Sequence, residues 1–386
     1  MCFSTKDQSY YRIIAPGIGP CRTGLPSLSN PSGPEQTRRR SVLETISEVS
    51  AIMATQFPDE ITIRAALTLA VRAPSVHNSQ PWIWRVGQGS LHLFADPALH
   101  LSHTDPDGRD LIVSCGAVLD HCAVAFAAMG WQAMIRRLPN PAEPDHLAAV
   151  TLRRQPAGDA DIDLAAAITQ RRTDRRNFSS RSVSLGDIAW MGARVARMGV
   201  SLRRVETTTD LKATLTQAMW EHALDSDYAE ELTTWSGRRL ANDGVPARNT
   251  PESDPRAAVP GRVFAGTALD QPPNAPPEYD SGILLALGTS ADDRLSRLRA
   301  GEATSSALLT ATTRGLATCP VSEVLEVSET RRMLRSEIFD ERYYPQMLVR
   351  VGWAPVDADA LPATPRRPVS ERVRRLDGAP LDGFDD

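Results

Sequence analysis

The chain has 386 residues, 41% of them apolar and 23% charged, with a formal net charge of −4. That is the make-up of a globular protein with a sizeable core, in two ordinary domains or one two-lobed one, and its charge gives no pull towards nucleic acid or anionic membrane. The five scattered cysteines, without a CxxC pair, point to a reducing compartment and away from structural zinc.

Residues 1–52 are polar and rich in Pro, Gly and Ser, and read as a disordered extension, with Met53 an alternative start to Met1. The N-terminus lacks the order of a signal peptide, so a cytoplasmic location is expected. Next, "DEITIRAALTLAVRA" predicts an amphipathic helix stopped by Pro74. "WIWRV" and "LHLF" around Gly87-Gln88-Gly89 predict a hairpin. "GRDLIVSCGAVLDHCAVAFAAMG" predicts a long buried helix, and its Asp120 and His121 argue against a membrane span. "WQAMIRRL" and "HLAAVTLRR" read as strands, followed by a linker and a helix at "IDLAAAITQRR". Beyond that, helices are expected near 185–198, over 210–240 and over 292–315. Strands are expected at "VSLRRVE", "GILLALG" and "QMLVRVGWA", before an Arg/Pro tail. Residues 236–280 hold eight prolines and little periodicity, which fits either a disordered insert or an ordered functional loop.

Gly116 and Gly130 bracket the first long helix, and Gly301 and Gly315 bracket the second at the same separation of fourteen. With the shared helix-then-strand order, this predicts two related α+β halves, 53–157 and 158–386, packing their long helices together.

Three segments carry candidate chemistry. In "RAPSVHNSQPW", Ser75 and Asn78 and the free N–H groups of the turn can bond a ligand's edge, and a mere helix stop does not require so many special residues. In "RRTDRRNF", an extended exit from a helix would set Arg171, Thr173 and Arg175 on one face, a clamp for phosphate; an isolated basic run is otherwise a solvated helix end. "ATCPVSEVL" reads as a loop after the second long helix, and "TPRRP" offers Arg366 and Arg367 in a basic tail. His100, His103 and Asp105 are read as loop residues rather than a metal site, and Cys115 and Cys122 as core. The sequence has no G-x-G-x-x-G after a strand, no P-loop and no G-x-S-x-G elbow.

In this order the segments resemble the nitroreductase superfamily of FMN proteins, over roughly residues 54–375, and most closely its Acg branch, in which one chain carries two nitroreductase-like halves. The resemblance implies an α+β fold forming an intrachain pseudo-dimer around the long central helices, so that one chain acts as a monomer, with further dimerisation left open. It implies an FMN site completed across the halves. Arg171, Thr173, Arg175 and Arg366 would hold the phosphate, Pro320, Val321 and Ser322 would face the ring, and Pro74, Ser75, Val76 and Asn78 would come from the first half. It also implies NAD(P)H as electron donor and a small-molecule acceptor, a nitroaromatic or quinone, with no nucleic acid or membrane partner. No side chain is singled out as acid or base. The other reading is a protein that binds and stores FMN with little turnover, residues 236–280 closing over it as a lid.

Overall fold

The structure, a computed structural model, describes residues 57–381 apart from 239–240, 255, 258, 273–274 and 356. The extension expected over 1–52, and the alternative start at Met53, lie outside the described residues.

Helix α1 (Glu60–Ala70) begins where the Asp59 carboxylate accepts from the Thr62 N–H, and it buries Ile63, Ala66, Leu67 and Ala70. A turn leads into the hairpin β1 (Trp82–Val86) and β2 (Leu91–Ala95), then α2 (Arg109–Ala128), β3 (Trp131–Arg137) and β4 (His146–Arg154). After α3 (Asp159–Gln170) the order starts again. Helix α4 (Leu185–Ala196) and β5 (Ser201–Val205) lead into an insert that opens with α5 (Thr209–Leu224), α6 (Ser226–Trp235) and the short strands β6 (Ser236–Arg238) and β7 (Val245–Pro246). Then come β8 (Ile283–Thr289), α7 (Arg294–Thr313), β9 (Ala317–Val321), α8 (Glu323–Glu326), α9 (Ser328–Phe339) and β10 (Tyr344–Gly352).

The repeat is visible in the pairing. One sheet runs β1-β2-β4-β3 and the other β5-β8-β10-β9, with every neighbouring pair antiparallel. In each, a long helix follows the second strand. These two helices, α2 and α7, pack against each other at the centre, and their glycines explain how. A Cβ on Gly116 would lie 2.1 Å from the Leu298 carbonyl oxygen, and one on Gly301 would lie 2.0 Å from that of Val113. The backbones meet where neither helix has a side chain. Gly130 and Gly315 then end the two turns with φ of 80° and 77°, the left-handed region that glycine enters without penalty.

Helix α2 is apolar enough and long enough to span a membrane by length and composition alone, Asp120 and His121 notwithstanding. Burial inside the protein explains its apolar surface, and Asp120 accepts from the Ser305 hydroxyl on α7 at 2.6 Å. Helix α7 is equally buried but rich in Ser and Thr. Thr304, Thr310 and Thr312 donate back to carbonyls four residues earlier, so their hydroxyls need no water.

The Arg/Pro tail is part of the fold. Residues 369–375 form α10 (Val369–Arg372) and β11 (Val373–Arg375), and β11 pairs parallel to β1 at the edge of the first sheet. The last segment of the second half thus completes the sheet of the first.

Candidate functional site

Between α1 and β1 the chain spends residues 71–81 on a turn, where the second half needs only 197–200 between α4 and β5. His77, Asn78 and Gln80 sit at φ of 43°, 56° and 55°. Left-handed backbone costs energy in residues with a Cβ and persists only where surroundings enforce it. Here the Ser75 hydroxyl accepts from the Gln80 N–H at 3.0 Å, and the Val76 N–H donates to Ser114 of α2 at 3.1 Å. Trp82, fully buried, anchors the exit.

The segment after α3 is extended as expected. Thr173 bridges Thr318 in parallel, and the Asp174 N–H donates to the Thr318 carbonyl at 2.9 Å. Residues 173–175 thereby run beside β9. This corrects the expectation for "ATCPVSEVL": 317–321 is an edge strand paired to β10, not a loop, and 323–326 is a helical turn. The apolar alternation of a strand was hidden by Thr318, Cys319 and Pro320, and the edge position tolerates the proline.

One cavity joins these pieces. It is lined by Pro74, Ser75, Val76 and His77 from the turn, by Asp110, Ser114 and Ala117 of α2, and by Thr173 and Arg175. Cys319, Pro320, Val321, Ser322 and Glu323 form another wall, and the insert closes it with residues between Pro251 and Gln271. The described part of the insert is tied down. Asn78 donates to the Gly244 carbonyl, Gln80 to that of Asn242, and Arg367 pairs with Asp243. Arg175 donates to the Asn249 carbonyl and lies over the Phe264 ring at 4.9 Å. Arg262 reaches in from the insert to Glu326 at 2.5 Å, with Tyr228 and the Nε2 of His77 also in range. Burial opposes the charge of Arg262, but Glu326, Tyr228 and Glu323 together outweigh it and hold its pKa above the ordinary arginine value.

Eight of the eleven residues singled out in the sequence therefore line one cavity: Pro74, Ser75, Val76, Thr173, Arg175, Pro320, Val321 and Ser322. The other three stand outside it. The Asn78 amide holds the insert and the Pro365 carbonyl, so it ties the turn to the lid candidate and the tail. Arg171, buried, and Arg366, half-buried, cluster with Arg72 and Arg172. Burial, followed by the charges of Arg172, Arg72 and Arg175, lowers Arg171 to about 10, and burial, followed by the charges of Arg171, Arg72 and Arg172, lowers Arg366 to about 9. Arg366 spends both arms on carbonyls, one on Arg72 and Ala73 and the other on Thr364 and Pro365, while Nε and NH1 of Arg171 are buried without a partner. Arg171 also feels Arg175, which links the cluster to the cavity wall. Uncompensated buried guanidiniums are costly unless an anion joins them. Arg171, with two unpartnered nitrogens, is the donor of this cluster that fits a phosphate reaching past Arg175 from the cavity.

Several cavity residues gave no sequence signal. His77 occupies a variable place in the turn motif, and its only clue is that histidine tolerates left-handed backbone better than most residues. Arg262 and Glu326 lie in segments without periodicity. Asp105, grouped earlier with His100 and His103, accepts from the Asp110 and Leu111 N–H groups and so caps α2. Cys115 and Cys122 are buried core residues.

No family model matches the chain. Over 323 residues, covering 84% of this chain and 94% of the relative, it is 55% identical to "Putative NAD(P)H nitroreductase Rv3131" of Mycobacterium tuberculosis. Over 318 residues, 80% of this chain and 94% of the relative, it is 36% identical to "Putative NAD(P)H nitroreductase acg" of the same organism. Among solved structures, a nitroreductase with bound FMN from Bacteroides fragilis matches with a TM-score of 0.34 and 15% identity, over 51% of this chain and 90% of that one. The paired sheets describe an α+β protein of two like halves, and the identities give it its family. The chain belongs to the nitroreductase family that includes these mycobacterial proteins, Acg among them.

Proposed function

We propose that the cavity binds one FMN and that the protein is an NAD(P)H-dependent oxidoreductase acting on a quinone or nitroaromatic. The observation that carries this reading is the cavity itself. It gathers the turn of the first half, Thr173 and Arg175 of the second and the end of β9, with a guanidinium cluster beyond Arg175 in which Arg171 keeps two unpartnered nitrogens.

FMN, when bound, supplies the two-electron chemistry, taking a hydride equivalent from NAD(P)H and passing it to the acceptor. Arg171 and Arg366 would compensate a phosphate, with Thr173 and Arg175 carrying the contact into the cavity. Pro320, Val321 and Ser322 form the wall against which a planar ring is held, and Pro74, Ser75 and Val76 close its edge from the other half. The insert excludes water, which strengthens each of these contacts.

The tethers on the insert favour a second reading, FMN storage with slow turnover. A closed insert must move before an acceptor reaches the cavity, and movement of that kind can limit the rate. Protein loaded with FMN and titrated with NADPH without oxygen separates the two. Flavin absorbance that bleaches within seconds supports the oxidoreductase; retained flavin that bleaches only over hours supports storage. Failure to retain flavin rejects both.

A further inference from the structure

His77 is the least expected residue of the cavity wall. It is 7% exposed, and its backbone is held left-handed at φ 43° by the surrounding turn. The insert fixes its ring from one side. The Phe264 ring meets it edge-on, centroids 6.1 Å apart, and the Arg262 NH1 lies 3.3 Å from its Nε2. A guanidinium can only donate, so Nε2 must be the acceptor. Burial first, then the charges of Arg262, Arg175 and His222, keep the imidazole well below its usual pKa, so it is neutral. A neutral ring carries one proton. With Nε2 accepting, that proton sits on Nδ1, on the other side of a ring that lines the cavity.

We propose that His77 is a catalytic residue of this site, its Nδ1–H donating to the oxygen of the electron acceptor, and that Arg262 fixes the tautomer that makes this possible. The proposal rests on the oxidoreductase reading above. The acceptor class shares one feature, a quinone carbonyl or nitro oxygen that gains electron density on reduction. A fixed neutral donor in a dry cavity stabilises that density without giving up its proton. His77, Arg262 and Phe264 all line the cavity, so the imidazole stands where the insert meets it. An acceptor admitted by movement of the insert would meet it there. The same movement would release Arg262, so the donor is set only when the site is closed.

The test has two parts. Histidine-labelled holoprotein, examined by two-bond proton–nitrogen NMR at pH 7, should show His77 as the neutral Nδ1–H tautomer, and Arg262→Ala should lose that preference. Alongside, kcat/KM for 2-methyl-1,4-naphthoquinone with NADPH should fall roughly tenfold to a hundredfold in His77→Phe at wild-type flavin content. His77→Asn should recover most of it, because asparagine tolerates the left-handed backbone and presents an N–H near the place of Nδ1. An Nε2–H or cationic ring in the wild type overturns the proposal. So does a Phe variant as fast as the wild type, or an Asn variant as slow as Phe. Wild-type protein that takes up no flavin rejects the oxidoreductase reading and this role with it, whereas flavin uptake with an unaffected Phe variant rejects this role alone.

Discussion

Corresponding residues of the two halves produce a cavity on one side of the central helices and an ion pair on the other. Counted from Gly116 and Gly301, Ala117 of α2 corresponds to Glu302 of α7, and Ser322 corresponds to Arg137 at the end of β3. On the cavity side the two small residues line open space. On the opposite side Arg137 donates to both oxygens of the buried Glu302, at 2.7 and 2.8 Å. The connections differ in the same sense. The long turn over 71–81, the insert over 206–282 and the α8–α9 excursion are each matched in the other half by a short link. Every elaboration borders the same cavity. One side of a symmetric frame was furnished as a site, and its counterpart was closed with a salt bridge.

The frame itself is the easiest part to break. Gly301→Leu places carbon against the Val113 carbonyl, which cannot retreat without parting the helices. We expect a loss above ~3 kcal/mol, beyond ordinary overpacking, seen as insoluble expression or a collapsed denaturation midpoint. A variant as stable as the wild type would mean that the two helices do not meet there. Arg137→Ala strands Glu302 and should cost about 3 kcal/mol, the low end for a buried pair because Arg137 is partly exposed. Adding Glu302→Ala should restore most of that, since both charges are then gone. The double variant should still bind no second flavin, because that side lacks both the long turn and the clamp.

Effects on the furnished side are smaller and concern the ligand. Arg175→Ala should weaken FMN binding by roughly 1.5–3 kcal/mol, the worth of a hydrogen bond to a charged group. Arg181→Ala, an exposed residue resting on Trp353, should change it by less than about 1 kcal/mol. Equal losses in a flavin-fluorescence titration would leave "RRTDRRNF" a plain basic surface.

The smallest expected effect lies on the axis, where Asp120 and its counterpart Ser305 bond to each other. Burial pushes Asp120 up to about 7 from 3.8, so the folded state keeps a proton that the unfolded state releases above pH 4. Stability from this group therefore falls as pH rises from about 4 to 7. Asp120→Asn, which keeps a polar partner for Ser305, should flatten that slope and gain about 1 kcal/mol at pH 8, by chemical denaturation across the range. An unchanged slope would show that Asp120 is already ionised in the fold.

Much of this was legible in the residues. The glycine spacing gave away the helix pair because close backbone contact admits no other side chain. The turn stood out because it uses more special residues than a helix stop requires, and the basic run only because an extended exit was expected to set Arg171, Thr173 and Arg175 on one face. Strand β9 was not, since its alternation is masked by Thr318, Cys319 and Pro320. Arg262 and Glu326 were not either, because an ion pair across an aperiodic insert leaves no local pattern. Nor could the sequence show that the amide of Asn78 holds the insert and not the cavity. Glu302 was the hardest to read: an acid in a helix reveals its plug only when Arg137 is seen across from it.

The central claim, one site built across both halves of a single chain, is tested most directly by counting. Protein saturated with FMN, freed of excess and sized by light scattering, should release one flavin per chain on denaturation while sizing as a monomer. Two flavins per chain would contradict the plugged counterpart. A flavin lost on dilution to monomer would show that a second chain, and not the second half, completes the site.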